Sequence, residues 1–402
     1  MKTLISVEDA VTLVLQVALA LPAEAAPLHD AAWRVLADDV VALRTQPPFN
    51  AAAMDGYAVC DVDARQGAEM TVIGESAAGR AFGGTVASGQ AVRIFTGAPV
   101  PEGAGTVVMQ EDVTLSGNGL ICIDTPVQAG RHVRKRGLDF AEGRTLLARG
   151  TFLDAANLSL AAAGGHANLP VVRRVRLAIL ATGDELVLPG LVPGPDQIVA
   201  SNGFGIAALA RKAGAEVVDL GIVPDDHALI RSAVSQAFAD GADVLVTLGG
   251  ASVGDHDLIK PVLADLGVPL GFWQIAMRPG KPLMYGRYGD AHVLGLPGNP
   301  VSSLVCAHLF LLPLIARLSG RSYAAPLATA RLGKPMRAND QRQDYVRARL
   351  EHKADGYLSA VPFDIQDSSM LSVLAASDCL IVRPPHAAAA ASGDETQVLL
   401  LR

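Results

Sequence analysis

The chain has 402 residues, of which half are hydrophobic and 18% are charged, and its formal net charge at pH 7 is −7. At roughly 100 to 200 residues per domain, this length predicts several domains, and the composition argues against disorder. The longest run of cations is Arg134 to Arg136, which argues against the broad cationic surface that nucleic-acid binding requires. We therefore expect a globular protein with a small-molecule ligand.

The four cysteines are far apart and form no Cys-x-x-Cys pair, so the sequence predicts reduced thiols in the cytosol and no zinc site. The apolar stretch from Ala10 to Leu21 has two interpretations, an amphipathic core helix or the core of a signal peptide. Glu8 and Asp9 favour the helix because they precede the apolar run, and Ser6 and Asp9 have capping-box spacing. The stretch is too short to span a membrane, which takes about 20 residues.

A second short helix is predicted over His29 to Ala37, and Pro47-Pro48 then ends the helical region. From Met54 to about Asp139, short β-branched runs separated by Gly, Pro and Asn predict a small β domain. These runs are Met70 to Ile73, Ala91 to Phe95, Thr106 to Met109 and Leu120 to Ile123. Helical spacing returns from Leu146 to His166, strongest over Asp154 to Ala163, which indicates a segment that packs back on the N-terminal helices. The first domain is therefore predicted to be discontinuous.

Between Val175 and Gly320, short apolar strands alternate with longer helical patterns, which predicts parallel βαβ units with helices on both faces. The predicted strands and helices are Val175 to Ala181, Phe204 to Ala213, Glu216 to Val223, His227 to Ala239, Asp243 to Leu248 and Leu258 to Leu266. In such sheets, ligands bind beyond the carboxyl ends of the strands. The tail from Pro326 to Arg402 returns to short strands, including Cys379 to Arg383 and Gln397 to Leu401.

The predicted fold class is therefore multidomain α/β plus β, with a central three-layer α/β domain around a mostly parallel sheet. The predicted N-terminal domain is discontinuous, over 1–46 and 141–172, and a small β domain is inserted over 47–140. An α/β domain over 173–322 and a C-terminal β domain over 323–402 complete the chain.

Two loops of the α/β region follow strand signals and carry acids. Thr182 to Glu185 brings two acids to the ligand edge of the sheet, either as functional acids or with Asp184 as a helix N-cap. In the loop Leu248 to Asp257, glycines without Cβ atoms let backbone N–H groups converge on a phosphate. Its terminal acids, Asp255 and Asp257, fit a magnesium-bound phosphate, although an ordinary glycine turn with a capping acid would have the same sequence.

This glycine loop is neither a Walker A loop nor a clear nucleophile elbow. The loop lacks the Gly-Lys-Ser/Thr ending of a Walker A loop. Ser252 does lie in Gly-x-Ser-x-Gly, but no histidine partner is identifiable, so serine hydrolysis is unsupported.

Two further loops could bind an anion. The turn Arg278 to Pro282 presents Arg278 and Lys281, whose proximity is costly unless an anion offsets their repulsion, although a solvated basic turn would look similar. Gly295 to Pro300 precedes a predicted helix over Val301 to Leu318. There Asn299 can cap the helix and Pro300 suits its first turn, and the N–H groups form either an anion site or a structural cap.

Seven stretches, in this order, resemble the MoeA family, whose eukaryotic relatives include the E domain of gephyrin. They are Pro47 to Ala58, Thr96 to Pro101, Arg136 to Asp139, Thr182 to Leu186, Gly249 to Gly254, Pro279 to Pro282 and Leu296 to Pro300. The resemblance covers nearly the whole chain. It implies an L-shaped, four-domain homodimer whose cleft lies between the α/β domain of one subunit and the β domain of its partner.

The reaction that the resemblance implies is cytoplasmic cleavage of adenylylated molybdopterin, with molybdate, to molybdenum cofactor and AMP. The implied catalytic residues are Asp55, Thr96, Asp139, Glu185, Asp225, Asp257 and Lys281. The residues implied to bind molybdopterin and molybdate are Gly249, Gly250, Ser252, Gly254, Arg278, Pro297 and Pro300. Mg²⁺ would bind Glu185, Asp225 and Asp257. The implied partner, beside a second copy, is the molybdopterin adenylyltransferase, and neither nucleic acid nor a membrane is expected.

This sequence departs from the family at two places. Gln274 and Arg278 stand where the family often has lysines, so oxyanion recognition would depend more on Arg278 and Lys281. Asn50-Ala51-Ala52 replaces the usual Asp-Asn-Ser. The main alternative is a molybdopterin adenylyltransferase, whose single domain resembles 175–320, but the flanking regions match the larger family. A scaffold is a second alternative, although this chain has no long linker for one.

Overall fold

The computed structural model describes residues 4–250, 258–353 and 356–401. They form two compact units, one of Ala25–Val171 and the other of Met1–Glu24 with Val172–Arg402. The chain therefore enters and leaves the first unit once, as expected for an inserted region. The finer division into four domains stays a prediction.

A six-stranded mixed sheet dominates the unit Ala25–Val171. Its strands, in spatial order, are Thr106–Met109, Gly56–Val59, Gln90–Ile94, Glu69–Ser76, Leu120–Ile123 and Val113–Gly117. Buried β-branched and aliphatic side chains, among them Val59, Val108 and Ile121, form its core. The predicted small β domain is confirmed, and two of its runs were predicted to the residue because their turns are marked by Gly and Asn.

The remaining elements of this unit are short. They are the strands Ala23–Pro27, Val40–Val41, Ala51–Ala52, Val133–Arg134, Thr145–Leu147 and Asn168–Val172, the helices Leu28–Ala31 and Ala155–Ala163, and 3₁₀ turns at Asp61–Asp63 and Gln110–Asp112. The helix predicted over His29 to Ala37 is wrong in length. Trp33 adopts a left-handed backbone, with φ of 63°, which an α-helix does not continue. Val35 and Leu36 form β-bridges instead.

The later helix of this unit is also shorter than its pattern. Thr145–Leu147 is a strand, so only Ala155–Ala163 is helical. Asp154 caps this helix, because its carboxylate accepts the backbone N–H of Asn157 at 2.9 Å. Ala161 packs in one cluster with Leu36, which confirms that the segment returns to the N-terminal residues.

Close backbone approach makes Gly56 a sensitive position. A Cβ atom there would lie 1.8 Å from the carbonyl oxygen of Val108 on the neighbouring strand. Gly56→Ala is therefore expected to lower the free energy of unfolding by about 3 kcal/mol, because neither strand can move without breaking the sheet. Gly83→Ala is the control, since nothing lies within 4 Å of its Cβ position. Urea denaturation followed by circular dichroism measures both, and equal stabilities would contradict the close approach.

The second unit contains a six-stranded sheet with helices on both faces. The spatial order is Glu216–Val223, Arg176–Thr182, Val244–Leu248, Ala291–Leu296, Met284–Tyr288 and Leu270–Phe272. The first four strands pair in parallel, and each of the last two pairs antiparallel with the strand before it in this order. The three-layer, mostly parallel domain is confirmed. Its antiparallel edge was not predicted, since a hairpin between buried strands has no periodicity of its own.

Alternate residues of the strand Arg176–Thr182 point to opposite layers of helices. Leu177 and Ile179 belong to one buried cluster, whereas Ala178 and Leu180 belong to the other. The first layer contains the helices Val7–Gln16, Asn202–Lys212, Pro300–Cys306 and Leu312–Leu318, and the second contains His227–Ala239 and Ile259–Asp265. Ser6 caps the first helix by accepting the N–H of Asp9 at 3.0 Å, which confirms the predicted amphipathic helix.

The helix predicted over Val301 to Leu318 is continuous but not uniform. A π-helical turn, Ala307–Leu311, separates two α-helical segments. By length and apolarity, Pro300–Leu318 is the single candidate membrane span in the described part of the chain, but 72% of it is buried inside the protein. It is therefore the core helix of the α/β layer.

The C-terminal strands close into a small barrel. Gln343–His352 pairs with both Leu358–Pro362 and Cys379–Arg383, and Leu327–Leu332 and Glu395–Leu400 complete the ring. The helix Leu371–Ala375 lies between two of these strands in sequence. A two-residue strand, Met277–Arg278, adds to the barrel beside Gln343 and Asp344. The predicted C-terminal β domain is confirmed, with this additional strand from the α/β region.

Candidate functional site

A cavity of about 690 Å³ lies beyond the carboxyl ends of Arg176–Thr182, Val244–Leu248 and Ala291–Leu296. The loops that follow these strands line it, as expected for an open parallel sheet. Six of the predicted site residues lie together in its wall, namely Glu185, Asp225, Gly249, Gly250, Pro297 and Pro300. The structure thus brings four separate loops to one site, since Asp225 follows the strand Glu216–Val223.

Close packing of backbone shapes the glycine loop. Gly249 has a φ of 93°, and a Cβ atom there would lie 2.8 Å from the carbonyl oxygen of Thr182. Only glycine fits that combination of left-handed backbone and close contact. Ser252, Gly254, Asp255 and Asp257 lie outside the described residues, so their roles stay predictions.

Asp184 does not cap a helix, so that interpretation is wrong. The chain after Glu185 continues into the short strand Leu186–Val187, which pairs with Ile198–Val199. The carboxylate of Asp184 accepts the backbone N–H of Asp225 at 3.1 Å. This bond ties the two acidic loops to each other. The helix that follows Asp225 is His227–Ala239, and Asp226 caps it by accepting the backbone N–H of Leu229 at 2.9 Å.

The helix that begins at Pro300 has its N-terminus at the cavity. Asn299 occupies the cap position, but its side chain makes no capping bond, and its amide instead donates to the hydroxyl of Ser368 at 3.0 Å. The expected side-chain cap is therefore wrong, whereas Pro300 does lie in the first turn. The amide of Asn202 donates to the carbonyl of Gly298 at 2.7 Å, which holds the same loop from another helix.

Sequence reasoning missed several polar residues that line the cavity. These are Ser201, Asn202, Ser302 and Ser369. The position of Asn202 at the start of a helix beside the ligand edge was a usable signal. Ser369 lies in a loop between strands of the C-terminal barrel, and no pattern in its neighbourhood indicates proximity to the α/β sheet.

The basic turn Arg278 to Pro282 does not place its two cations in the cavity wall. Arg278 and Lys281 are exposed and do not line the cavity, to which their turn contributes Pro282. The guanidinium of Arg278 forms salt bridges with Asp340 at 2.6 Å and with Asp344 at 3.2 Å. Two carboxylates therefore already offset the charge of Arg278, and its predicted role in binding molybdate stays a prediction.

Asp340 is shared between two arginines. It accepts from Arg342 at 3.0 Å as well as from Arg278. Hydrogen bonds from the side chain and backbone of Arg342, followed by the charge of Arg278, lower the pKa of Asp340 to about 2. Burial has the opposite effect on Asp344 and raises its pKa. Gln274, the other departure from the family pattern, is half-buried and does not line the cavity.

In the unit Ala25–Val171, two predicted site residues form one hydrogen-bonded pair. The carboxylate of Asp55 accepts the backbone N–H of Thr96 at 2.7 Å and its hydroxyl at 2.8 Å. Both bonds lower the pKa of Asp55, the backbone bond more than the side-chain bond. Asp139 is exposed, and its N–H donates to the carbonyl of Gln46 at 3.1 Å. None of the described contacts joins Asp139 to the pair.

Thr96→Val removes the hydroxyl and keeps the backbone N–H, so the pKa of Asp55 is expected to rise toward its ordinary value of 3.8 while staying below it. Thr96→Ser keeps the donor and should titrate like the wild type. Carbon-detected NMR of labelled aspartate measures the pKa directly. An unchanged pKa in Thr96→Val would show that the backbone bond acts alone.

The loop before Met54 explains why its departure from the family pattern is tolerated. Ala51 and Ala52 are buried, at 5% and 0% exposure, where larger polar side chains would need partners. The side-chain oxygen of Asn50 accepts the backbone N–H of Arg136 at 2.9 Å. Two of the family-like stretches are therefore joined by a structural bond at this point.

The donor set of the cavity suits a hard cation. Glu185 and Asp225 both line it, and carboxylate oxygens are the ligands that Mg²⁺ prefers. Within the described ranges, no group of three or more His, Cys, Asp or Glu side chains could hold a metal. Two protein carboxylates beside a phosphate is nevertheless a usual arrangement for Mg²⁺, which keeps several waters.

Taken together, the sheet, its carboxyl-end cavity and the barrel define a multidomain α/β protein with a polar cavity at the ligand edge of its sheet. Comparison with known proteins gives the family. Residues 5–165 match the MoeA N-terminal region (domain I and II), 178–317 match a probable molybdopterin binding domain, and 329–401 match the MoeA C-terminal region (domain IV). The chain belongs to the MoeA family.

Individual relatives are similar in sequence to this chain over most of its length. The molybdopterin molybdenumtransferase of Haemophilus influenzae is 37% identical over 361 residues, which cover 88% of each chain. The enzyme of the same name from Nostoc sp. is 36% identical over 389 residues, covering 94% of this chain and 88% of the relative. A crystal structure of the molybdopterin biosynthesis MoeA protein from Pyrococcus horikosii superposes with a TM-score of 0.84, at 30% identity over all of both chains.

Proposed function

We propose that this protein is a molybdopterin molybdenumtransferase, which reacts adenylylated molybdopterin with molybdate and releases AMP and molybdenum cofactor. The observation that carries the proposal is the convergence of Glu185, Asp225 and the Gly249-Gly250 backbone on one cavity. Relatives that carry this name are 34% to 37% identical over most of the chain, which supports the same assignment.

The chemistry requires charge neutralisation and positioning more than covalent catalysis. Cleavage of a phosphoanhydride develops negative charge on phosphate oxygens, which backbone N–H groups and cations stabilise. The glycine loop would supply N–H donors, and the N-terminus of the helix at Pro300 would add its partial positive charge. The proposal therefore requires no activated nucleophile from the protein.

Glu185 and Asp225 would hold Mg²⁺, with Asp257 as a further ligand. When bound, the ion supplies charge stabilisation at the pyrophosphate. The Asp184 carboxylate fixes the backbone of Asp225 and so keeps the two acidic loops in register. Lys281 is the cation proposed to receive molybdate, since Arg278 is engaged by carboxylates. Asp55, Thr96 and Asp139 are proposed to act on the substrate from the small β domain.

The direct test incubates purified protein with adenylylated molybdopterin, magnesium and molybdate, and measures AMP and metal-loaded cofactor. Both products are expected, in equal amounts. A second arm supplies molybdopterin and ATP, because a molybdopterin adenylyltransferase would transfer the nucleotide instead. Transfer from ATP without molybdenum insertion would overturn the proposal.

A homodimer is proposed as the active form, in the cytoplasm, because the proposed site residues lie in both compact units and the family resemblance implies a cleft shared between subunits. Light scattering is expected to give a mass near twice 41.6 kDa. The specific activity should fall as the protein is diluted below the concentration at which it dissociates. A fully active monomer would contradict the shared cleft.

A further inference from the structure

Arg93 lies close to the hydrogen-bonded pair of Asp55 and Thr96, although it is outside the seven family-like stretches of the sequence. It belongs to the strand Gln90–Ile94, and its direct partner on the neighbouring antiparallel strand is Tyr57. Asp55 and Thr96 come just beyond the paired ends of these two strands. Arg93 is half-buried, whereas arginine is usually exposed, so its contacts within the protein need an explanation.

The guanidinium of Arg93 donates two hydrogen bonds, one from each terminal nitrogen. Nη1 donates to the carbonyl oxygen of Gly56 at 3.0 Å, and Nη2 donates to the side-chain oxygen of Gln110 at 2.6 Å. Both acceptors are uncharged oxygen atoms, so these two bonds set the geometry of the groups that they join. A guanidinium is suited to this task because its donors lie in a rigid, planar fork.

Two aromatic rings hold this guanidinium in place. The Cζ atom of Arg93 lies 5.0 Å from the ring centroid of Tyr57 and 4.9 Å from that of Phe95. Both distances are within the range of a cation–π interaction. Tyr57 is 9% exposed and belongs to the buried cluster of the sheet, so one of the two rings is itself fixed by the core. The position of the fork is therefore set by the fold before any ligand binds.

Both bonds of the fork act on the backbone that carries Asp55. Gly56, whose carbonyl accepts one bond, directly follows Asp55 in the chain. Gln110 accepts the other bond, and its backbone N–H donates to the carbonyl oxygen of Asp55 at 3.1 Å. The charge of Arg93 also lowers the pKa of Asp55, after the two bonds from Thr96, which is consistent with a cation close to this carboxylate. Arg93 thus reaches Asp55 through two neighbouring residues.

We propose that Arg93 is a positioning residue for Asp55, which it holds in the orientation required at the substrate through its bonds to Gly56 and Gln110. This inference rests on the proposed function, in which Asp55 acts on the substrate from the small β domain. Arg93 need not contact the substrate in this role. A displacement of 1 Å at a reacting group can cost about 100-fold in rate, so a residue that prevents part of such a displacement contributes measurably to kcat.

The first test measures the release of AMP in Arg93→Gln, Arg93→Lys and the matched control Arg80→Gln. Arg80 is an exposed arginine of the same unit and pairs with Glu75. Arg93→Gln is expected to lower kcat by roughly tenfold and to leave KM for molybdate unchanged, because Lys281 lies in the other unit. Arg93→Lys keeps the charge but presents its donors from a single nitrogen, so its kcat should fall as well. Full kcat in Arg93→Lys would overturn positioning by the fork.

A double-mutant cycle distinguishes action through Asp55 from a general loss of stability. Arg93→Gln is combined with Asp55→Asn, and thermal unfolding checks that each variant is folded. If Arg93 acts through Asp55, the double variant should be no slower than Asp55→Asn alone, because the carboxylate that Arg93 positions is already lost. Rate losses that multiply in the double variant would show that Arg93 acts elsewhere, and would overturn the proposal.

Amide hydrogen exchange tests the same connection without any substrate. The backbone N–H groups of Gln110 and Thr96 both donate to Asp55, so their protection from exchange reports how firmly that residue is held. Both groups are expected to lose protection in Arg93→Gln and in Arg93→Lys, and to keep it in Arg80→Gln. Unchanged protection in Arg93→Gln would overturn the positioning role. Lost protection together with full release of AMP would leave that role intact and contradict the proposed function of Asp55.

Discussion

Asp225→Asn is expected to slow the release of AMP from adenylylated molybdopterin by roughly 100-fold or more. The substitution keeps the size of the side chain and its backbone bond to Asp184, but it removes a charge that a hard cation prefers. If the bound ion contributes several kcal/mol to the transition state, losing part of that contribution has this effect, since each ~1.36 kcal/mol is tenfold in rate. Raised magnesium should restore part of the rate.

The neighbouring residue supplies the control for this experiment. Asp226 caps the helix His227–Ala239, and asparagine is an equally good cap, so Asp226→Asn should retain both the rate and the magnesium dependence. Glu185→Gln is expected to behave like Asp225→Asn, because both acids line the cavity. If the AMP release of Asp225→Asn and Asp226→Asn followed the same magnesium curve, Asp225 would have no metal role.

Lys281→Ala and Arg278→Ala are expected to fail in different ways. Lys281 is exposed, so its loss should leave Tm unchanged and raise KM for molybdate by roughly tenfold or more, the cost of a charged hydrogen bond. Arg278→Ala removes the cation beside Asp340 and the half-buried Asp344. Discounted for exposure, a loss of about 1 kcal/mol should lower Tm by about 2–4 °C.

A second substitution separates structure from binding at Arg278. Asp344→Asn in the Arg278→Ala background removes the carboxylate that is left without its cation, so it should recover part of the lost Tm. Thermal scans and molybdate titrations measure the two effects independently. A normal Tm in Arg278→Ala, together with a large loss of molybdate affinity, would show that Arg278 binds the anion and does not stabilise the fold.

Local patterns in the sequence were sufficient for most elements of the fold. The strand Glu216–Val223 and the helix His227–Ala239 were predicted to the residue, because periodicity and an adjacent Pro or Asp mark their ends. The helix over His29 to Ala37 failed because the backbone of Trp33 is set by contacts that are distant in sequence. Helical spacing alone contains no information about such a residue.

The candidate site was predictable where loops follow parallel strands. The sequence alone predicts that Glu185 and Gly249 lie at the same edge of the α/β sheet, because the carboxyl ends of parallel strands meet there. The pairing of Arg278 with Asp340 could not be predicted from the sequence, since 62 residues separate the two and the bond depends on how the barrel packs. The same holds for Ser369, which reaches the cavity from a loop of the barrel region.

The strand Met277–Arg278 also bears on how such proteins can be recombined. It pairs in parallel with Gln343 and Asp344, and the N–H of Ile275 closes the turn on the carbonyl of Lys281 at 3.0 Å. The shape of the basic turn is thus partly encoded some 65 residues downstream. A chimaera that joined this α/β domain to the barrel of a distant relative would inherit the lysine without the strand that orients it. The two regions are expected to be exchangeable only as one cassette.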